Sequence, residues 1–126
     1  MQIHIHPSDE LPIYRQIVRQ VTDAVAGGRL KAGERLPSHR ELAAQLVIAP
    51  LTVKKAYDEL ERVGLIDTQR GRGTFVSETL PAVDRAQSRE RLRDAAQRLL
   101  SQAALSGVSF AEVLGLLEEI EKGMKP

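Results

Sequence analysis

The sequence has no cysteine and no tryptophan, only two phenylalanines and two tyrosines, and no unbroken apolar run near the length of a bilayer span. Without thiols there is neither a disulfide framework nor a thiolate metal site. So few aromatics leave the core to Leu, Val, Ile and Ala, which suits small helical packing better than a ligand cavity lined by rings. A membrane-spanning helix needs about 20 consecutive apolar residues, so it is excluded. The opening Met1-Gln2-Ile3-His4 lacks the basic-then-apolar pattern of a secretory signal, and a reducing cytoplasm is the expected location. What is present, 42% hydrophobic and 28% charged among 126 residues, is the composition of a folded soluble protein. The length allows one ordinary domain and a small appendage.

The net charge of +1 conceals an uneven distribution. From Arg29 to Arg72 there are nine Lys or Arg against six Asp or Glu, a local +3 that leaves −2 for the rest of the chain. A polyanionic partner would meet this stretch, although a charge cluster is also what any solvated face carries.

Apolar residues Ile13, Ile17, Val18, Val21 and Val25 recur at spacings of three and four, which predicts an amphipathic helix from Leu11 to Ala26, stopped by Gly27-Gly28. After a short extended piece, Gly33 to Leu36, the tetrad Ser38-His39-Arg40-Glu41 reads as a capping box. A second helix then starts at about His39 and buries Leu42, Ala43 and Leu46. Val47-Ile48-Ala49-Pro50 interrupts it, with Pro50 suited to the first position of a third helix that runs to about Val63. Val53, Ala56, Tyr57 and Leu60 share one face of that helix and leave Leu51, Thr52, Lys54, Lys55 and Asp58 on others.

Beyond Gly64 the period changes to that of strands, Leu65 to Gln69 and Thr74 to Ser77, around Arg70-Gly71-Arg72-Gly73. The fold class is therefore mainly α, a winged helix-turn-helix of three helices plus a β-hairpin wing, followed by a two-helix antiparallel hairpin. A small helical bundle with an incidental hairpin is the alternative. Leu80-Pro81 marks the boundary, giving a DNA-binding domain over residues 1–79 and a helical tail over 80–126. In the tail, one helix from about Val83 to Ala104 carries Leu92, Ala95, Ala96, Leu99, Leu100 and Ala103 as a stripe, and Ser106-Gly107 ends it. Ser109 opens a second helix with the stripe Phe110, Val113, Leu114, Leu117, Ile120 and Met124.

A helix-turn-helix reads DNA by setting its second helix in the major groove. Early in that helix, Leu51, Thr52 and Lys55 are placed to reach bases or a thymine methyl, while Lys54 and Arg40 are better placed for phosphates. In the wing, Gly71 and Gly73 let the backbone turn sharply around Arg72, so that Arg70 and Arg72 project from a thin tip suited to the minor groove. An ordinary hairpin also needs glycine.

These runs together, Leu36-Pro37-Ser38-His39-Arg40-Glu41-Leu42-Ala43, then Thr52-Val53-Lys54-Lys55-Ala56-Tyr57, Leu60-Glu61, Gly64-Leu65-Ile66 and Gly71-Arg72-Gly73-Thr74-Phe75-Val76, resemble the GntR family of bacterial transcription regulators. Pro12-Ile13-Tyr14-Arg15-Gln16-Ile17 and the short helical tail resemble its YtrA-like branch. The resemblance implies a homodimeric, repressor-type regulator on a palindromic DNA operator. Three departures stand out: Val47 where the family usually has Gly, Ala49 and Leu51 where the branch tends to have Asn, and His39 where Glu is frequent.

A two-helix hairpin cannot enclose a core alone, so its stripes are expected to pack on a second copy through Leu92, Ala96, Leu99, Ala103, Phe110, Leu114, Leu117 and Ile120. The competing arrangement folds the hairpin back on its own winged domain. Catalysis is not expected, since none of His4, His6 and His39 lies in a recognisable triad context and no phosphate-binding glycine loop precedes a helix. No cofactor is called for. The alternative function is a metal- or small-molecule-responsive DNA-binding sensor, with the ligand at the dimer tail or at the His4 and His6 pair.

Overall fold

The computed structural model describes residues 1–79 and 85–124. The expected boundary at Leu80-Pro81 and the expected helix start at Val83 lie outside the described residues. The described residues form two compact units, one over 1–79 and one over 85–124.

In the first unit the chain runs α1 (Ile13–Ala26), β1 (Arg35–Leu36), α2 (His39–Leu46), α3 (Pro50–Arg62), β2 (Ile66–Gln69) and β3 (Gly73–Val76). Helix α1 starts two residues later than the periodicity indicates, because Pro12 stands at its N-cap in an extended conformation and the residue before a proline, here Leu11, is disfavoured in the helical region. The capping box of α2 is formed in full: Ser38 Oγ accepts from the Glu41 N–H at 3.0 Å, and the Glu41 carboxylate accepts from the Ser38 N–H at 3.4 Å. Pro50 stands in the first turn of α3, and no side chain caps that helix at Ala49.

The wing is broader than a hairpin. The extended piece before α2 contributes β1, which pairs antiparallel with β3, so the sheet order is β1-β3-β2 with Arg35 opposite Phe75 and Asp67 opposite Phe75 on the other side. Ile17, Val21, Leu42, Val53, Leu60, Ile66 and Val76 are wholly enclosed, so helices and sheet share one core. Tyr57 joins them, and its hydroxyl donates to the Pro37 carbonyl at 2.8 Å, which ties α3 to the entry of α2. Burial, with the Glu41 charge adding to it, pushes the Tyr57 hydroxyl well above the ordinary tyrosine value, so it remains a donor.

The N-terminal segment is held to α1 by two side-chain amides one helical turn apart. Gln20 accepts from the His4 N–H and donates to the His4 carbonyl, at 2.9 and 2.7 Å. Gln16 does the same for His6, at 2.9 and 3.0 Å, and also donates to the Leu11 carbonyl. Each amide thus substitutes for a neighbouring strand, with Ile3 buried and His4 and His6 exposed.

The second unit is an antiparallel pair, α4 (Arg85–Leu105) and α5 (Phe110–Met124), closed through Gly107 in the left-handed region with the Val108 N–H on the Ala103 carbonyl. Ser109 Oγ accepts from the Glu112 N–H at the start of α5.

Candidate nucleic-acid interface

The buried face of α3 is Val53, Ala56, Tyr57 and Leu60. At 3.6 residues per turn, Leu51, Lys54, Lys55 and Asp58 fall on the opposite side and Thr52 on its flank. Exposure agrees: Leu51, Lys54 and Lys55 are open to solvent and Thr52 is half-buried. Charge also divides along the helix. The N-terminal half carries Lys54 and Lys55, whereas the acids Asp58, Glu59 and Glu61 lie in the C-terminal half. Lys54 reaches Asp58 at 3.0 Å and Arg62 pairs with Glu59, so two of those acids are already offset. The hydrogen bond from Arg62 holds the Glu59 carboxyl below the usual carboxylate range.

Lys55 is positioned by a residue that periodicity places only on α1. Its Nζ lies 4.1 Å from the centre of the Tyr14 ring, and Arg15 stands over the same ring at 5.4 Å. A cation over an aromatic face is attracted by the ring quadrupole, which narrows the positions available to a long, exposed side chain. Because 41 residues separate Tyr14 from Lys55, no local pattern could reveal this contact.

Arg40 follows the first residue of α2, exposed and without an ion pair among the described residues. In the wing, the Arg72 N–H bonds the Gln69 carbonyl at 2.9 Å and closes the tip. Gly71 has φ 79 and open space where a Cβ would stand, so its requirement is conformational. Gly73, with φ 126, is constrained twice, since a Cβ there would lie 3.1 Å from Arg35 Nε. The Arg35 guanidinium therefore joins Arg70 and Arg72 on the wing, a third cation that the sequence pattern left unassigned because β1 is only two residues long.

Val47 takes φ 56 and ψ 50, the only non-glycine with positive φ among the described residues. The Ile48 N–H bonds the Ala43 carbonyl at 3.1 Å, the backbone closure that usually places glycine at this position. The tight turn between α2 and α3 is thus kept despite a β-branched occupant.

In the helical unit, Leu92, Ala96, Phe110, Leu114, Leu117 and Ile120 are exposed, Leu99 is half-buried, and Ala103 is buried within the single chain. The described residues hold no group of three or more metal-ligating side chains, and none of their helices is long and apolar enough to cross a membrane.

Comparison with known proteins decides what this geometry belongs to. The model of the gntR family of bacterial regulatory proteins matches residues 13–76. The chain belongs to the gntR family. It is 37% identical to the HTH-type transcriptional repressor YtrA of Bacillus subtilis (strain 168), over 98% of this chain and 95% of that one. Among solved structures it is similar to a transcriptional antiterminator from Listeria monocytogenes EGD-e, with TM-score 0.81, 31% identity, and coverage of 100% of this chain and 94% of the other. It is also similar to YtrA from Sulfolobus acidocaldarius, a GntR-family transcription factor, with TM-score 0.57, 32% identity and coverage of 94% and 95%. The DNA-binding domain of AraR in complex with operator ORX1 matches 61% of this chain and 99% of that one, at 27% identity and TM-score 0.54. This gntR protein is accordingly a DNA-binding transcription regulator of the YtrA-like kind and not an enzyme.

Proposed function

We propose that this regulator acts in the bacterial cytoplasm as a repressor, with two copies bound symmetrically to a palindromic operator. Residues 1–79 bind the DNA and residues 80–126 join the copies. In this reading Leu51, Thr52 and Lys55 meet base edges in the major groove, and Arg40 and Lys54 meet phosphates. Arg70 and Arg72 enter the adjacent minor groove on a tip made thin by Gly71 and Gly73. The observation that carries it is the division of α3, whose outward N-terminal half is basic while its acids lie towards the C-terminus. A helix of that polarity meets DNA with its first turns, as the second helix of a helix-turn-helix does.

The tail supports the symmetric arrangement. Phe110 is 62% exposed and Leu92 70%, and the α5 stripe through Leu114, Leu117 and Ile120 continues the open apolar surface. A hairpin whose stripes stay this open gains its burial from a second copy.

The experiment is fluorescence anisotropy with the protein's own upstream DNA across a salt series. Affinity should fall steeply with salt, and Arg40→Ala should weaken all sequences alike and lower the slope of log affinity against log salt by about 1. An unchanged slope removes Arg40 from the phosphate contacts, and salt-independent binding defeats the reading as a whole.

A further inference from the structure

The recognition edge of this chain carries an apolar patch that is costly to keep. Val47 is 88% exposed and Leu51 77%, and Ala49 and Pro50 between them are also exposed. The patch spans the turn and the first residues of α3, beside Lys54 and Lys55. Isolated exposed apolar residues need no explanation, but Val47 is also strained. A β-branched side chain in the left-handed region crowds the backbone, its exposure recovers nothing by burial, and glycine would close the same turn without strain. Strain held at an exposed position on a binding surface points to use in the bound state.

We propose that Val47 and Leu51 together form a reader of thymine methyl groups in the major groove, making this protein's operator preference depend on the 5-methyl of thymine. The inference rests on the placement of α3 in the major groove. Its occupant follows from the surroundings. A patch flanked by lysines lies where phosphates are expected, and the thymine methyl is the apolar group that the major groove of DNA displays. The lack of a polar side chain at residues 47, 49 and 51 leaves van der Waals contact as the mode of reading there.

The test uses the duplex enriched by the full-length protein from a random DNA library, synthesised once with thymine and once with deoxyuridine, which keeps the hydrogen-bonding edge and removes only the methyl. The wild type should lose about fourfold in affinity for each thymine methyl it covers. In Val47→Gly and in Leu51→Ala the ratio of thymine-duplex to deoxyuridine-duplex affinity should fall below the wild-type ratio, whatever happens to affinity as a whole. Val47→Gly should also melt about 4 °C higher, as strain is relieved. Equal wild-type affinity for the two duplexes, or a thymine preference unchanged in both variants, overturns the proposal. A lower melting temperature for Val47→Gly overturns the strain argument. Failure to enrich any duplex would instead defeat the placement of α3 on DNA, a distinct result.

Discussion

The two units of this protein are built on opposite terms. The winged unit closes its core by itself: Ile17, Val21, Val53, Ala56, Leu60 and Ile66 have no exposed surface at all. In the helical unit only Ala103 and Val113 are buried among the described residues, and the large side chains of α5 stand in the open. Amphipathicity alone does not distinguish the two, since α1, α3 and α5 all carry apolar stripes. The difference is the number of layers each stripe can meet. Within the winged unit α1, α2 and α3 share a core with a sheet, while within the helical unit α4 and α5 have only each other among the described elements. One unit therefore closes its core within the chain, and the other leaves most of its apolar stripe open, the feature on which the proposed pairing of two copies rests.

The strongest way to break this contrast is to charge the open stripe. If the tail joins two copies as proposed, Leu117→Asp should leave monomers, because a lone carboxylate would lie in a dry seam between them. Operator affinity should fall by about 10²–10⁴ as the second half-site loses its high effective concentration. The winged core should melt unchanged. Light scattering behind a sizing column checks the first point and anisotropy the second. A wild type that runs as a monomer at micromolar concentration, or an unaltered Leu117→Asp dimer, defeats the dimer assignment.

Matched truncations sharpen it further. Leu60→Ala, at a position with no exposure, should destabilise the winged unit by about 2–5 kcal/mol at any protein concentration. Leu114→Ala, 44% exposed in the single chain, should cost less, and its cost should depend on concentration if, as proposed, the lost contact lies between copies. Denaturant melts at two protein concentrations separate the cases. Concentration dependence in Leu60→Ala and none in Leu114→Ala would reverse the roles given to the two units.

The same contrast governs what was legible in the sequence. The capping box at Ser38, the proline start of α3 and the turn at Gly71 are local devices, and each stands where its residues indicated. Strand β1 reads in the sequence only as an extended piece, because two residues carry no alternation and its identity comes from pairing with β3. The amides of Gln16 and Gln20 and the contact of Tyr14 with Lys55 join distant positions, so they become visible only when the fold closes. In the tail the stripes were legible in the helical period, but the degree to which one chain leaves them open was not. That depends on how many layers pack, which periodicity does not encode.

A smaller effect tests the bond between α3 and the entry of α2. Tyr57→Phe leaves the Pro37 carbonyl without its donor and should cost about 1 kcal/mol. The sign of its pH dependence follows from the raised hydroxyl. Above the ordinary tyrosine value of 10 the unfolded chain releases this proton while the folded chain keeps it, so stability should fall as pH rises past that point. Tyr57→Phe should flatten this alkaline slope, and equal slopes in the two proteins would show that the hydroxyl is not the responsible group.

The smallest expected effect lies where the winged unit meets DNA. The half-buried Tyr14 ring restrains the exposed Lys55, and a cation–ring contact that stays open to solvent is worth about 0.5–1 kcal/mol. Tyr14→Phe keeps the aromatic face and should bind DNA as the wild type does, whereas Tyr14→Leu removes it and should weaken binding a few-fold. The loss should be larger for the preferred duplex than for unrelated DNA, because a freed lysine still finds phosphates but would lose the alignment with a base edge proposed for Lys55. It should also vanish when Lys55 is already alanine, since a positioning residue has no effect without the group it positions. If Tyr14→Leu weakens the Lys55→Ala protein as much as it weakens the wild type, Tyr14 serves the packing of α1, and the alignment of Lys55 has another source.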